Sequence, residues 1–375
     1  NPATGAYPSR SSLTGSIGPS CSTGSSGHTF ILNAGQDSSF AGNKTAQGNQ
    51  DSNGIGDFYY APPTDYLALC TSNLPDVAEG LWDSGVNKHF NTKLYDDGAG
   101  AKTGVGFQPD FVWLKSRGST YEHELTDAVR GVTEALSSNG NQTETTDSTG
   151  LTAFGADGFT VGADTNYADT TGEGMIAWCW KANGAGSANT DGDMATTVTV
   201  SANVDAGFSI IAYTGDGAAA TIGHGLSKAP EMIFVKHREA WDAWMVYHKH
   251  GASDAETDYM SLSTDAARYD SLEGSTNGTE PWYDTAPTAD VVTLGLPLSV
   301  NYSTKTHIAY CWHSVEGFSK LGSYTGNEDA DGPFVYTGFR PTLVIVKNYT
   351  RADDWTIQDS ARSPYNPVDI FSRPN

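Results

Sequence analysis

The sequence predicts an all-β fold of tandem β-sandwich modules. Three observations point to tandem β modules: composition, recurring blocks at matched offsets, and strand periodicity inside those blocks. The 375 residues include 42 glycines and much Thr and Ser, with few Lys, Glu and Leu. That balance suits strands and turns better than helices. Nine Trp, 18 Tyr and 14 Phe are enough for several packed cores. At roughly 150 residues per domain the length suggests two or three of them.

The recurring blocks are explicit. Ile176-Ala-Trp-Cys-Trp180 matches Ile308-Ala-Tyr-Cys-Trp312. Gly207-Phe-Ser209 followed by Tyr213-Thr-Gly215 matches Gly317-Phe-Ser319 followed by Tyr324-Thr-Gly326. Pro109-Asp-Phe-Val-Trp-Leu-Lys115, Pro230-Glu-Met-Ile-Phe-Val-Lys236 and Pro341-Thr-Leu-Val-Ile-Val-Lys347 form a threefold set. Eight residues separate Lys236 from Trp244, and eight separate Lys347 from Trp355. Agreement of several independent offsets marks a tandem repeat. Its period of about 110–120 residues is too long for a solenoid unit and suits a small domain.

Taken in order, residues 1–27 are rich in Ser, Gly and Pro and read as loop, and Thr29–Asn33 reads as a short strand. Asp76–Phe90 is a linker. Phe111–Leu114, Met232–Val235 and Leu343–Val346 are unbroken apolar runs opened by proline, the pattern of strands covered on both faces. In Ile176–Trp180 bulky and small residues alternate, so Ile176, Trp178 and Trp180 share one face and Ala177 and Cys179 the other. The small face admits another sheet closely. Gly184–Met194 reads as a hinge, Thr196–Ser201 as a strand, and only Glu122–Ser137 hints at a helix. The expected division is 1–76, 77–206, 207–316 and a partial module at 317–375. The chain starts at Asn1, not Met, and stops partway through the third copy, so we expect a fragment of a longer sequence.

The segment from Asn33 to Pro75, with Phe58-Tyr-Tyr-Ala-Pro-Pro-Thr-Asp-Tyr-Leu-Ala-Leu-Cys-Thr-Ser-Asn-Leu-Pro75, resembles the end of a SPRY-type, concanavalin-like module of marine phage virion proteins. The later blocks resemble the modules that follow such a sandwich in tailed-phage fibre-like proteins. The resemblance implies a non-enzymatic virion structural protein, a tail fibre or appendage for host attachment, located in the virion. It supplies no catalytic residues and no cofactor. A bacterial extracellular or filament-forming surface protein and a carbohydrate-active fibre enzyme are the alternatives. The expected partners are further copies of the chain, with a trimer ahead of a helical filament, other virion proteins and a host surface glycan.

A net charge of −23 without a Lys/Arg cluster excludes nucleic acid as a partner. No apolar run approaches the ~18 residues of a membrane helix, so membrane insertion is not expected. Cys21, Cys70, Cys179 and Cys311 are too few for a disulfide scaffold, and Cys179 and Cys311 read as buried thiols. The repeated aromatics read as core. Trp282, Tyr283 and Tyr365, outside the repeated blocks, are the ligand-stacking candidates. Asn327, Asp329 and Asp331 match the start of a calcium loop. Glycine stands at position 338 where the closing carboxylate belongs, so a polar turn without metal is expected.

Overall fold

The computed structural model describes residues 35–64, 66–68, 82–83, 86–170, 172–270, 280–329, 332–365 and 367–375. The chain divides into two units, Asn1–Asp76 and Val77–Asn375. In the first, Asp51 organises a turn: its carboxylate accepts the N–H groups of Asn53, Ile55 and Ala68. Asn49 and Phe58 form an isolated bridge, and the described part of this unit holds no longer strand. The strand expected at Thr29–Asn33 and the cysteines Cys21 and Cys70 lie outside the described residues.

The second unit is built almost entirely of strands. It opens with β1 (Trp82–Asp83) and β2 (Val86–Asn87), a small antiparallel pair. The first copy follows with β3 (Phe90–Tyr95), β4 (Gly100–Thr103), β5 (Phe111–Ser116), β6 (Glu124–Asp127), β7 (Glu134–Ser137), β8 (Thr145–Thr146), β9 (Leu151–Gly155), β10 (Gly158–Val161) and β11 (Met175–Trp180). The second holds β12 (Ser187–Asn189), β13 (Val198–Asn203), β14 (Phe208–Thr214), β15 (Ala220–Gly223), β16 (Met232–His237), β17 (Met245–His248), β18 (Met260–Ser261), β19 (Val291–Leu294), α1 (Leu298–Asn301) and β20 (Thr306–Trp312). The third contributes β21 (Leu343–Val346), β22 (Thr356–Asp359) and β23 (Phe371–Ser372).

The large sheets run β3-β11-β5-β6-β7-β8, β12-β13-β14-β20-β16-β17-β18 and β21-β22-β23. The two longer sheets share a topology: β11 inserts between β3 and the proline-led β5, as β20 inserts between β14 and the proline-led β16. The register repeats as well. Phe90 and Phe111 flank Trp180, as Phe208 and Met232 flank Trp312. Trp113 faces Leu125, Phe234 faces Val246 and Ile345 faces Ile357 at one shared spacing. The expected superposition of Phe111 on Met232 and Trp178 on Tyr310 follows directly from these pairings.

Alternation along the closing strands separates two kinds of core. Ala177 and Cys179 face a core with Val105, Phe107, Leu151 and Phe159, where the small sheet β4-β10-β9 covers the first copy. Ala309 and Cys311 do the same with Ile222, Val292 and Leu294, under β15-β19. Both cysteines are buried free thiols. The bulky faces meet elsewhere. Ile176 and Trp178, Ile308 and Tyr310, and Trp355 and Ile357 all belong to one core shared by the three copies. Phe111 stacks on Tyr310 with ring centroids 4.5 Å apart, and Trp180 and Phe208 approach to 6.3 Å. Each such aromatic pair adds about 0.5–1.5 kcal/mol beyond its area burial. The copies are not beads on a string.

Two sequence expectations are corrected. The helix hint at Glu122–Ser137 is a strand pair, β6 and β7. Asp127 accepts the N–H groups of Val129 and Arg130 to form the turn, and Gly131 (φ 106°) and Thr133 (φ 69°) take left-handed backbone there. No α-helix continues through that. The Gly184–Met194 hinge and the Thr196–Ser201 strand, placed with the first module, contribute β12 and β13 to the second sheet instead.

Candidate functional site

The residues that recur most strictly meet at the junctions between copies. Lys236 follows the apolar run of β16, and its Nζ donates to the carbonyls of Asn141 (3.2 Å), Ala240 (3.3 Å) and Asp242 (2.6 Å). Lys347 repeats this with the carbonyls of Asp265 (2.8 Å) and Asp353. Trp244 Nε1 donates to the Ser137 carbonyl at 2.9 Å, and Trp355 Nε1 to the Ser261 carbonyl at 2.8 Å. Backbone bonds complete the match. Asp242 N–H reaches Asn141 O and Glu144 N–H reaches Arg238 O; Asp353 N–H reaches Asp265 O and Arg268 N–H reaches Tyr349 O. The first copy therefore holds the second as the second holds the third.

The third also meets the first. Ser138 Oγ donates to the Pro374 carbonyl at 2.8 Å, and the Arg362 guanidinium lies 5.4 Å over the Trp178 ring. His123, eight residues after Lys115 as the tryptophans are after their lysines, lies beside the Arg373 backbone. It stacks on Trp178 and accepts from Trp113 Nε1 at 3.0 Å. The copies thus close on one another in cyclic order.

A second recurring device was not singled out in the sequence. Asp127-Ala-Val-Arg130 and Asp359-Ser-Ala-Arg362 make the same buried turn. Arg130 Nε bonds Asp127 at 2.5 Å and its NH2 bonds Leu125 O; Arg362 Nε bonds Asp359 at 2.6 Å and its NH2 bonds Ile357 O. Each arginine then touches the closing strand of the next copy: Arg130 reaches Tyr310 Oη at 3.3 Å, and Arg362 covers Trp178. The signal was present as Asp-x-x-Arg at the end of β6 and of its third-copy counterpart β22. The second copy obscures it by carrying His248-Lys-His-Gly251 there.

The ligand candidates separate. Trp282 is 1% exposed, donates to the Asp258 carbonyl and packs on Tyr247, so its ring is core and cannot stack on a ligand. Tyr283 follows it in a turn at φ 53°. Tyr365 is 83% exposed. Asn327 Oδ1 accepts Asp329 N–H, and Asp329 O accepts Gly332 N–H in an exposed turn; Asp331 lies outside the described residues.

Most of the titratable groups with large shifts are buried; the exception is the exposed Glu239, which hydrogen bonds from Lys305 and Thr306 hold down at about 2. Burial pushes His123 down to about 3, with Lys115 and Arg362 adding to it. Burial lowers His248 and His307 to about 4, each with a neighbouring histidine, His250 and His237 respectively, adding to the shift. It raises Glu124 to about 8, helped by Asp164 and Glu122, and lowers Lys236 to about 8 against the pull of Asp242. Perturbed groups mark candidate active sites only where a cleft exposes them; His248 lines a small indentation with Gly251, Ala255 and Arg268, and the other buried groups lie in sheet cores and junctions. The exposed apolar residues instead concentrate in the third copy, at Tyr324, Phe334, Val335, Tyr336, Val344, Tyr365 and Phe371.

The class defined by this geometry is an all-β protein of repeated, mutually packed sheets. Residues 85–375 match the family model of DUF7483, a domain of unknown function, and the chain belongs to that family. No curated protein and no solved structure matches the chain.

Proposed function

We propose that this chain is a non-enzymatic structural and attachment protein of a virion appendage, such as a tail fibre. The observation that carries the reading is the fate of the repeated residues. The junction lysines, Trp244, Trp355 and the two Asp-Arg turns bind one copy to the next, and the perturbed acids and histidines are buried with them. The repeat thereby spends these polar groups on packing copy against copy. The resemblance of the Pro-led blocks to phage fibre-like modules supports the virion assignment. The acidic charge keeps such a body soluble and resists non-specific contacts.

Within an appendage the chain works as a homo-oligomer, a trimer ahead of a helical filament, alongside other virion proteins, with a host surface glycan as target. The bulky faces of the first two copies are taken up in the core that the copies share, which leaves the exposed apolar residues of the third copy as the surface proposed for contacts between chains. Solution mass measurement with imaging of the native particle tests this. A particle-bound oligomer is expected. A compact monomer at micromolar concentration, a capsid-free cell-surface filament, or cleavage of a host polysaccharide by the purified chain would overturn it.

A further inference from the structure

We infer that His237 and His307 form an acid-sensitive latch, which holds α1 and Tyr302 against the second sheet and releases them when either imidazole is charged. The inference stands apart from the virion reading.

The two histidines are direct partners across β16 and β20, and both are buried. Their rings stack with centroids 4.8 Å apart and 22° between the planes. Tyr213 stacks on His307 at 5.1 Å, and Tyr302 lies over His237 at 5.5 Å. Four rings in a column thus join β14 to the residue that follows α1, the helix that packs against β16. Tyr213 also holds α1 directly, through a 2.6 Å bond from its hydroxyl to the Val300 carbonyl.

The repeat supplies its own comparison. In the first copy the matching cross-strand pair is Ser116 and Met175, and in the third Asn348 stands at the position of His237. The scaffold therefore does not require imidazoles there. Two of them give the second copy a property that its neighbours lack.

Hydrogen bonds show what a proton would change. His307 Nδ1 donates to the Lys305 carbonyl at 3.0 Å, so Nε2 is the acceptor and takes the Tyr302 N–H at 3.4 Å. A proton on Nε2 ends that bond and turns the nitrogen toward the Leu298 carbonyl, also 3.4 Å away. Both ring nitrogens of His237 are buried without a partner. A charge there has nothing bonded to it and lies beside a second imidazole.

The charges around the pair are mixed. Asp242 and Glu239 favour a proton on His237, whereas Lys236 and Lys305 oppose it. Among side chains, Glu239 favours a proton on His307 and His237 opposes it. Burial outweighs the carboxylates, so His237 lies below the usual value and His307 falls to about 4. Glu239 itself is held at about 2 by Lys305 and Thr306, and its clamp on the start of β20 stays charged while the histidines titrate. The open segment binds protons better than the closed one. The latch is therefore closed above about pH 6.5 and opens progressively toward pH 4.

The test is native-state hydrogen exchange of the purified chain at pH 7 and pH 4.5, with rates corrected for the intrinsic effect of pH. Protection across Val300–His307 is expected to fall by about fiftyfold, while Ile210–Ala212 and Ile233–Val235 keep theirs. The double variant His237→Gln, His307→Gln retains a neutral donor and acceptor at each place. Its protection is expected to change by less than about threefold between the two pH values. Should that variant be open already at pH 7, imidazole NMR of the unaltered chain decides, with both rings expected to titrate below 6.5. The single variant His237→Gln should then raise the value of His307. An equal acid loss in the double variant, simultaneous loss across the sheet, or titration of either ring at 6.5 or above would overturn the inference.

Discussion

The apolar strands of the second and third copies differ little in sequence and greatly in environment. Met232-Ile-Phe-Val235 and Leu343-Val-Ile-Val346 follow the same proline, precede the same lysine and pair with the same kind of neighbour. Yet β16 is buried along nearly its whole length, whereas no residue of β21 is fully buried. The difference is not hydrophobicity. β16 has the closing strand β20 on its second edge and the small sheet β15-β19 across one face, and β21 has neither among the described residues. An apolar run specifies a strand, but its burial is supplied by residues far away in sequence.

That contrast can be broken or sharpened experimentally. The largest effect is expected at the buried Asp-Arg turns. Arg130→Met leaves the Asp127 carboxylate, whose side chain is 0% exposed, without its cation, at a cost of about 3–5 kcal/mol in chemical denaturation. Arg362→Met is expected to cost a comparable amount, because Asp359 is equally buried. A loss below about 1 kcal/mol at either site would break the equivalence of the first and third copies.

The next effect separates buried from open strands. Ile233→Ala should cost about 2–5 kcal/mol, and Val344→Ala should stay within about 0.5 kcal/mol, as surface substitutions do. Equal losses would mean that β21 is as well covered as β16. At the junctions, Trp244→Phe and Trp355→Phe each leave a carbonyl, of Ser137 or Ser261, without its donor. Each should cost about 1–3 kcal/mol, and the two values should agree if the junctions are equivalent.

A separate set of effects is on pH dependence. His123, His248 and His307 have folded pKa values of about 3, 4 and 4, below the usual 6.5. The unfolded chain therefore binds protons that the folded chain refuses, and stability falls as pH drops from about 6.5 toward 4. Glu124 acts oppositely. Its folded value near 8 exceeds the usual 4.5, so its contribution is full below pH 4.5 and is lost as pH rises to 8. Glu124→Gln should flatten the melting-temperature profile between those limits; an unchanged slope would count against a neutral buried carboxyl.

Much of this was legible in the sequence. Blocks such as Phe111–Leu114 and Ile176–Trp180 carry their own strand signal, and their offsets gave the repeat. The destination of each face was not legible. Alternation shows that Trp178 and Tyr310 share a kind of face, but not that this face meets another copy, since that depends on how the sheets pack. Trp282 was misjudged because Glu280-Pro281 and a following turn resemble an exposed loop, while its ring is drawn in by Tyr247 and the Asp258 carbonyl. His123 hid for another reason: an imidazole holds the position where the other copies place tryptophan.

Native-state hydrogen exchange on the chain alone tests the central claim most directly. The three matched segments Val112–Leu114, Ile233–Val235 and Val344–Val346 are compared in one experiment. The first two should exchange only through global unfolding, whereas the third should exchange orders of magnitude faster through local opening. Equal protection of all three would contradict the account, because it would show a third copy already closed.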